Sequence, residues 1–241
     1  MRLDTEILSR GLAKSRTSAQ ELIIRGSVLV NKLPAKKASQ NVTNNDTIEI
    51  TTPLPYVSRG GEKLAHALSY FNISPKDLIC ADIGSSTGGF TDCLLQNKAK
   101  MVYAIDVGTD QLDQKLKDDS RVISIEKTDI RNTTLPEKIS LVVIDVSFIS
   151  VIKILSAIKS LLLKNGEVVV LVKPQFEVGK DNLNRKGIVI DITKREDAIR
   201  RVVAESEKIG FILINQTTSP ITGGDGNIEY LLYLKKIDKE K

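Results

Sequence analysis

ICADIGSSTGGF (Ile79–Phe90) passes from an apolar run into a turn with glycines at 84, 88 and 89, then into a helical stretch. A strand ending in such a turn and feeding a helix is the corner at which open α/β sheets bind a nucleotide. The glycine spacing narrows the ligand. A dinucleotide turn carries Gly-x-Gly-x-x-Gly, so that a pyrophosphate can approach the helix N-terminus; here the second position is Ser86. Asp-x-Gly-x-x-x-Gly instead suits a ligand without phosphate, and can wrap the methionine end of S-adenosylmethionine.

Strand and helix patterns alternate outward from that corner. MVYAIDV (Met101–Val107) precedes a charged helix over Gln111–Asp118; VISIE (Val122–Glu126) and LVVIDV (Leu141–Val146) follow. VIKILSAIKSLLLK (Val151–Lys164) has helical periodicity, and EVVVLVK (Glu167–Lys173) has the composition of a strand buried on both faces. A helix over Lys194–Ile209 leads to FILINQTT and then IEYLLYL, with no helix between them. The expected fold class is α/β: a Rossmann-like, seven-stranded, mostly parallel sheet of the class I methyltransferase layout, with one antiparallel edge strand.

Successive strand ends supply polar residues to the corner. Asp82, Gly84, Ser85, Ser86, Thr87, Gly88, Gly89 and Phe90 form the turn. Asp106, followed by Val107, lies about twenty residues on, where an acid can accept from both ribose hydroxyls. Asp129, with Ile130, is placed to contact the adenine amine, and Asp145 ends the next strand.

Lys63, Asp145, Lys173 and Glu229 form the candidate catalytic set for methyl transfer onto a hydroxyl. Such a hydroxyl must lose its proton as it attacks, and Lys173, at the end of an apolar strand, is the candidate base. A free lysine titrates near ~10.4, so a neutral one at pH 7 costs roughly 4 to 5 kcal/mol. Burial or a second cation, for which Lys63 is the candidate, lowers that cost. Asp145 and Glu229 would orient the lysines and balance their charge. Glu177 also follows Lys173 within reach, and Ser147 and Phe148 are candidates for shaping the pocket. The GKDNLNRKG loop (Gly179–Gly187), with Arg185 and Lys186, and Arg59 are candidate RNA contacts or a lid.

The first fifty residues form a separate small α+β unit. Leu3, Ile7 and Leu8 fit one helix face; Ser15 to Ser18 can cap a second helix whose Ala19, Leu22 and Ile23 repeat at helical spacing. VLVN and TIEI then read as strands. Candidate RNA-facing cations are Arg10, Lys14, Arg16, Arg25, Lys32, Lys36 and Lys37. TTPLPYVSRGG reads as a linker, giving boundaries of 1–52, 53–60 and 61–241.

The pattern GLAKSRTSAQELIIRGSVLVN with Lys37-x-Ser39 resembles the alpha-L RNA-binding motif, departing from it at Lys32, where glycine is common after the asparagine. From Tyr56 on, VSRGGEKL, ADIGSSTGGFTDCLL, AIDVGTDQL, DVSFIS, LVKPQFEVGK, RKGIV and GGDGNIEYLLYL resemble the FtsJ-like RNA ribose methyltransferases. Across its full length the chain resembles the TlyA family. The resemblance implies S-adenosylmethionine-dependent methylation of a cytidine ribose 2′-hydroxyl in 16S rRNA, 23S rRNA or both, with ribosomal RNA or ribosomal subunits as partner. DGNIEY, which reproduces the family's motif, favours Glu229 over Glu177.

Composition agrees with this reading. A formal net charge of +5 suits a polyanionic partner. The two cysteines, Cys80 and Cys93, lack any CxxC or histidine cluster, so no metal site is expected; His66 has no assigned role. The N-terminus has no apolar secretory segment and no run is long enough to span a bilayer, so a cytoplasmic location is expected. Two other classes compete: a haemolysin or membrane-active protein, and a non-catalytic RNA-binding ribosome-assembly factor.

Overall fold

The computed structural model describes residues 1–223 and 226–237. The chain divides into two compact units, Met1–Ser58 and Arg59–Lys241. Gly224 and Asp225, within the GGDGNIEYLLYL motif, lie outside the described residues.

In the first unit, α1 (Leu3–Ser9) and α2 (Arg16–Ile24) pack on a three-stranded antiparallel sheet of β1 (Val28–Val30), β2 (Leu33–Pro34) and β3 (Ile48–Ile50), in the order β2-β1-β3. Ser15 caps α2 by accepting the Ser18 N–H at 3.1 Å, which satisfies a donor the helix cannot pair itself. Leu3, Ile7, Ala19, Leu22, Ile23, Val28 and Val30 are buried together. Leu8 is exposed instead of joining that face, because it follows Ile7 and is rotated about 100° off the inward stripe. The β1–β2 hairpin turns through Asn31 (φ 51°) and Lys32 (φ 66°). Positive φ at both loop positions is the twist a two-residue hairpin requires. The lysine departure therefore keeps the turn, at a strain of roughly 1–2 kcal/mol.

Beneath α1, the carboxylate of fully buried Asp4 accepts from Arg2 (3.0 Å), Arg16 (2.9 Å) and Gln20 (2.8 Å). Arg2 above all holds this carboxyl far below the usual carboxylate range.

The second unit holds α3 (Gly60–Phe71), β4 (Ile79–Ile83), α4 (Gly89–Gln96), β5 (Met101–Ile105), α5 (Gln114–Lys117), β6 (Val122–Ile125) and β7 (Ile139–Ile144). It continues through α6 (Leu155–Leu161), β8 (Leu162–Val172), α7 (Ile192–Ile209), β9 (Phe211–Thr218) and β10 (Tyr230–Lys236). The sheet order is β6-β5-β4-β7-β8-β10-β9, with β4 to β8 parallel and β10 antiparallel to both neighbours. The α/β class and the seven strands are as expected, but the antiparallel strand is not the edge. β10 inserts between β8 and β9 because Leu231, Leu232 and Leu234 are buried, whereas β9 is mostly exposed and takes the rim.

Two helices are shorter than their patterns. The stretch before α5 is a loop, since Glu126 accepts the N–H groups of Asp110 and Gln111 (2.6 and 3.1 Å) and Asp113 caps the short helix. The pattern over Val151–Lys164 resolves into a 3₁₀ turn (Val151–Lys153), then α6, and the chain enters β8 at Leu162 with Asn165 at φ 57°. The strand order reverses direction between β4 and β7, which is where such sheets open a ligand crevice at their carboxyl ends. Among the described residues no helix is long and apolar enough to cross a membrane.

Replacing Asp4 with Ala is expected to destabilise the first unit by about 1–3 kcal/mol, because Arg2, Arg16, Gln20 and the Thr5 N–H lose a buried charged acceptor. Faster amide exchange confined to residues 1–58 of the full chain checks this; unchanged exchange there would contradict it.

Candidate active site

β4 ends at Ile83, and Gly84 turns the chain at φ +82° while its N–H donates to the Ile105 carbonyl at 2.8 Å. A Cβ at Gly84 would sit 2.6 Å from the Asp145 carbonyl oxygen, so the backbones after β4 and β7 meet at a distance only glycine allows. Next to it, Asp106 accepts the Ser86 N–H (2.8 Å) and the Gly108 N–H (2.7 Å). One carboxylate thus ties the glycine turn to the loop after β5.

These ends surround a cleft of about 440 Å³, within the range of small-molecule sites. Of the sequence-derived ligand residues, Gly84, Ser86, Asp106, Val107, Asp129, Ile130 and Asp145 line it. Asp82, Ser85, Thr87, Gly88, Gly89 and Phe90 are not in the lining. Gly88 begins α4 at φ +93° under Leu112 and Leu116, the Thr87 carbonyl accepts the Asp113 N–H, and Phe90 is buried in α4. The sequence reading missed Gly108, Gln111, Thr128 and Arg131, which also line the cleft. Arg131 grips Asp129 at 2.5 Å and holds its carboxyl down to about 2, keeping it an acceptor at neutral pH. Its position two residues after Asp129 was the available signal.

Asp82 lies fully buried behind this wall, accepting from Thr91 Oγ1 at 2.7 Å, while its other oxygen has no hydrogen-bond partner. Burial, with added repulsion from Asp145 and Asp106, pushes this carboxyl up to about 7.

The four candidate catalytic residues form two ion pairs at the same end of the sheet. Lys63, in the first turn of α3, is hydrogen-bonded to Glu229, and both side chains are buried. Lys173 Nζ lies 2.7 Å from Asp145 Oδ1 and donates to Ser147 Oγ at 2.8 Å. That carboxylate oxygen lacks hydrogen-bond geometry, so the lysine proton points to Ser147 and the Asp145 contact is electrostatic. Tyr230 pairs with Val172, so Glu229 and Lys173 leave the sheet side by side. Phe148, between the pocket-lining Ser147 and Ile149, is 92% exposed at φ +65° and leans on Phe176 with ring centroids 5.2 Å apart. A bulky residue in that conformation is strained and needs a surrounding structure that holds it.

The RNA candidates divide. Arg10 is spent inside its unit, on Glu6 (2.7 Å) and the Asp46 carbonyl (2.7 Å), and Arg16 on Asp4; Arg25 pairs with Glu21 at 2.8 Å. Lys14, Lys32, Lys36 and Lys37 are exposed, and Arg59 is half-buried just before α3. Arg185 and Lys186 are exposed on a turn that Asn184 closes by accepting the Lys186 and Ile188 N–H groups. Asn227 ties that turn to the segment carrying Glu229 through Gly187 and Val189. Among the described residues, no group of three or more His, Cys, Asp or Glu side chains gathers as a metal centre would need.

Residues 56–236 match the FtsJ-like methyltransferase family and residues 1–48 the S4 domain. The chain belongs to the FtsJ-like methyltransferase family. It is 40% identical over 240 residues to the 16S/23S rRNA (cytidine-2′-O)-methyltransferase TlyA of Mycobacterium tuberculosis, covering 97% of this chain and 89% of that one. To hemolysin A of Brachyspira hyodysenteriae it is 44% identical over 237 residues, covering 97% and 99%. A solved structure of a Streptococcus thermophilus protein named as a hemolysin superposes with a TM-score of 0.79 at 42% identity, covering 99% of this chain and 89% of that one. The cleft described above lies within the residues that match the FtsJ-like family.

Gly84→Ala is expected to abolish binding in the FtsJ-like cleft, because the added methyl meets backbone that cannot yield; calorimetric titration with S-adenosylmethionine checks this. Asp82→Asn tests the buried carboxyl. A folded-state value raised above the unfolded one contributes stability at low pH that is lost as pH rises through about 7. The asparagine variant should therefore gain on wild type between pH 5 and 8, by up to about 3 kcal/mol, read from thermal midpoints across that range; a constant offset would refute the assignment.

Proposed function

We propose that this chain transfers a methyl group from S-adenosylmethionine to the ribose 2′-hydroxyl of a cytidine in 16S or 23S ribosomal RNA, or in both. The observation that carries the reading is the pair of ion pairs, Lys63–Glu229 and Lys173–Asp145, at the carboxyl end of the sheet beside the cleft. The relatives' names supply the substrate class, and the S4 domain with its exposed lysines supports a polyanionic partner.

The cleft fits the cofactor on its own chemistry. Asp106 offers acceptor oxygens where ribose hydroxyls would lie, Asp129 is a charged acceptor, and Gly84 keeps the floor clear. When bound, S-adenosylmethionine supplies a methyl group on a sulfonium sulfur, an electrophile that needs no metal. Lys173 does the work on the other reactant. Lys173 Nζ donates to Ser147 and has the Asp145 charge beside it, which leaves nitrogen positions for the 2′-oxygen. In its neutral form Lys173 takes the hydroxyl proton as the new carbon–oxygen bond forms and the methyl–sulfur bond breaks to leave a neutral thioether, and Asp145 holds the resulting ammonium. Lys63 and Glu229 form the neighbouring wall, so the charges near the reacting oxygen are fixed before substrate arrives. Exposed Phe148 offers a flat face to a base drawn out of its stack.

Incubation with methyl-labelled S-adenosylmethionine and unmodified 30S and 50S subunits is expected to place label in the ribose of one or both RNAs. No label in either, with cofactor binding measured, would overturn the reading. Lys173→Ala should lower the rate by about 10²–10⁴-fold, the contribution of a positioned general base, while cofactor affinity stays close to wild type.

A further inference from the structure

Glu177 is a buried carboxylate that neither the cofactor cleft nor the two catalytic ion pairs use. It lies one turn beyond Lys173, after the 3₁₀ helix Pro174–Phe176, which is held by the Phe176 N–H donating to the Lys173 carbonyl at 2.9 Å. Its two oxygens are committed separately: Oε1 accepts the Val151 N–H at 2.9 Å, and Oε2 accepts from Ser150 Oγ at 2.7 Å. From the far side, Arg201 of α7 donates to the Glu177 carbonyl and approaches Oε2 at 3.4 Å.

The segment gripped in this way is Asp145–Val151, the loop after β7. Lys173 holds its front end through Asp145 and Ser147, and Glu177 holds its back end through Ser150 and Val151. Between the two grips stands Phe148, strained at φ +65° and resting on Phe176 of the same turn. The loop is a thin wall: Val146 and Ile149 face the cofactor cleft and also lie close to Lys173 and Glu177 behind it. Four residues after a catalytic lysine, a second charged group therefore fixes the other end of the same loop.

We propose that Glu177, braced by Arg201, is a positioning residue for methyl transfer: with Lys173 it forms a two-point clamp that holds Ser147 and Phe148 in reactive register. The inference rests on the methyltransferase reading above. A carboxylate suits the task because it accepts from a backbone N–H and a hydroxyl at once without donating to either. Losing one grip leaves Phe148 free to relax from its strained conformation, and misplacement of about 1 Å at a reacting site can cost ~10²-fold in rate.

The test compares full-length wild type, Glu177→Ala, Glu177→Gln and Ser150→Ala in the labelled-cofactor assay, with kcat and both KM values measured, and with amide exchange at Val151. Expected are a kcat lower by at least about tenfold in Glu177→Ala, partial rescue in Glu177→Gln, a KM for S-adenosylmethionine within a few-fold of wild type, and faster exchange at Val151. Wild-type kcat in Glu177→Ala together with faster Val151 exchange would overturn the clamp, since the grip would be broken without consequence. Equal losses in kcat and cofactor KM, without rescue by glutamine, would also overturn it, as they mark general disruption. Should Glu177→Ala fail to fold, Ser150→Ala decides: a lowered kcat at an unchanged melting temperature supports the clamp, and an unchanged kcat sinks it. A wild-type protein that labels no RNA would count against the methyltransferase reading, whereas an active wild type with equally active variants counts against the clamp alone.

Discussion

The 2.6 Å that would separate a Gly84 Cβ from the Asp145 carbonyl sets the geometry of everything at the carboxyl end of the sheet. Because β4 and β7 pair in register up to Ile83 and Ile144, the turn after one and the loop after the other leave the sheet in contact. Asp145 is thereby delivered to two environments at once: its side chain lines the cofactor cleft and also meets Lys173. Any side chain at position 84 would push the turn after β4 and the loop after β7 apart.

Charge in this region is neutralised in pairs instead of by solvent. Lys63 and Glu229 are buried, and a lone charge in either place would cost about 3–5 kcal/mol. Asp82, with no cation beside it, settles the same problem by taking up a proton more readily. Asp82 behind the cleft and the Lys63–Glu229 pair beside it thus use opposite answers to one desolvation problem.

The parts legible in the sequence were those with local signals. Ser15 announces α2 by residue type alone, and the glycine turn announces the cleft, because both depend on neighbours within a few positions. Strand ends were legible too, so Asp106, Asp129 and Asp145 could be placed without coordinates. What escaped depends on distant partners. A string of arginines looks alike whether paired or free, and Arg10 and Arg16 turn out to be struts whose acceptors are Asp46 and Asp4. Glu177 could be weighed only as a rival to Glu229, since Ser150, Val151 and Arg201 are two dozen residues away on either side. The antiparallel strand's slot was likewise set by competition between β9 and β10 for burial, which no single segment reveals.

That slot has a bearing on synthesis. β10 follows every other strand among the described residues, yet it lies inside the sheet and brings Glu229 to Lys63. While a ribosome is still adding residues 211 to 236, β8 presents an open apolar edge and Lys63 lacks its carboxylate. The nascent chain can pair its parallel strands early, but it cannot join Lys63 to Glu229 until translation has passed the β9–β10 hairpin. Closure of the sheet and burial of the Lys63–Glu229 pair thus come only after every other described strand has been made, a consequence of strand order alone.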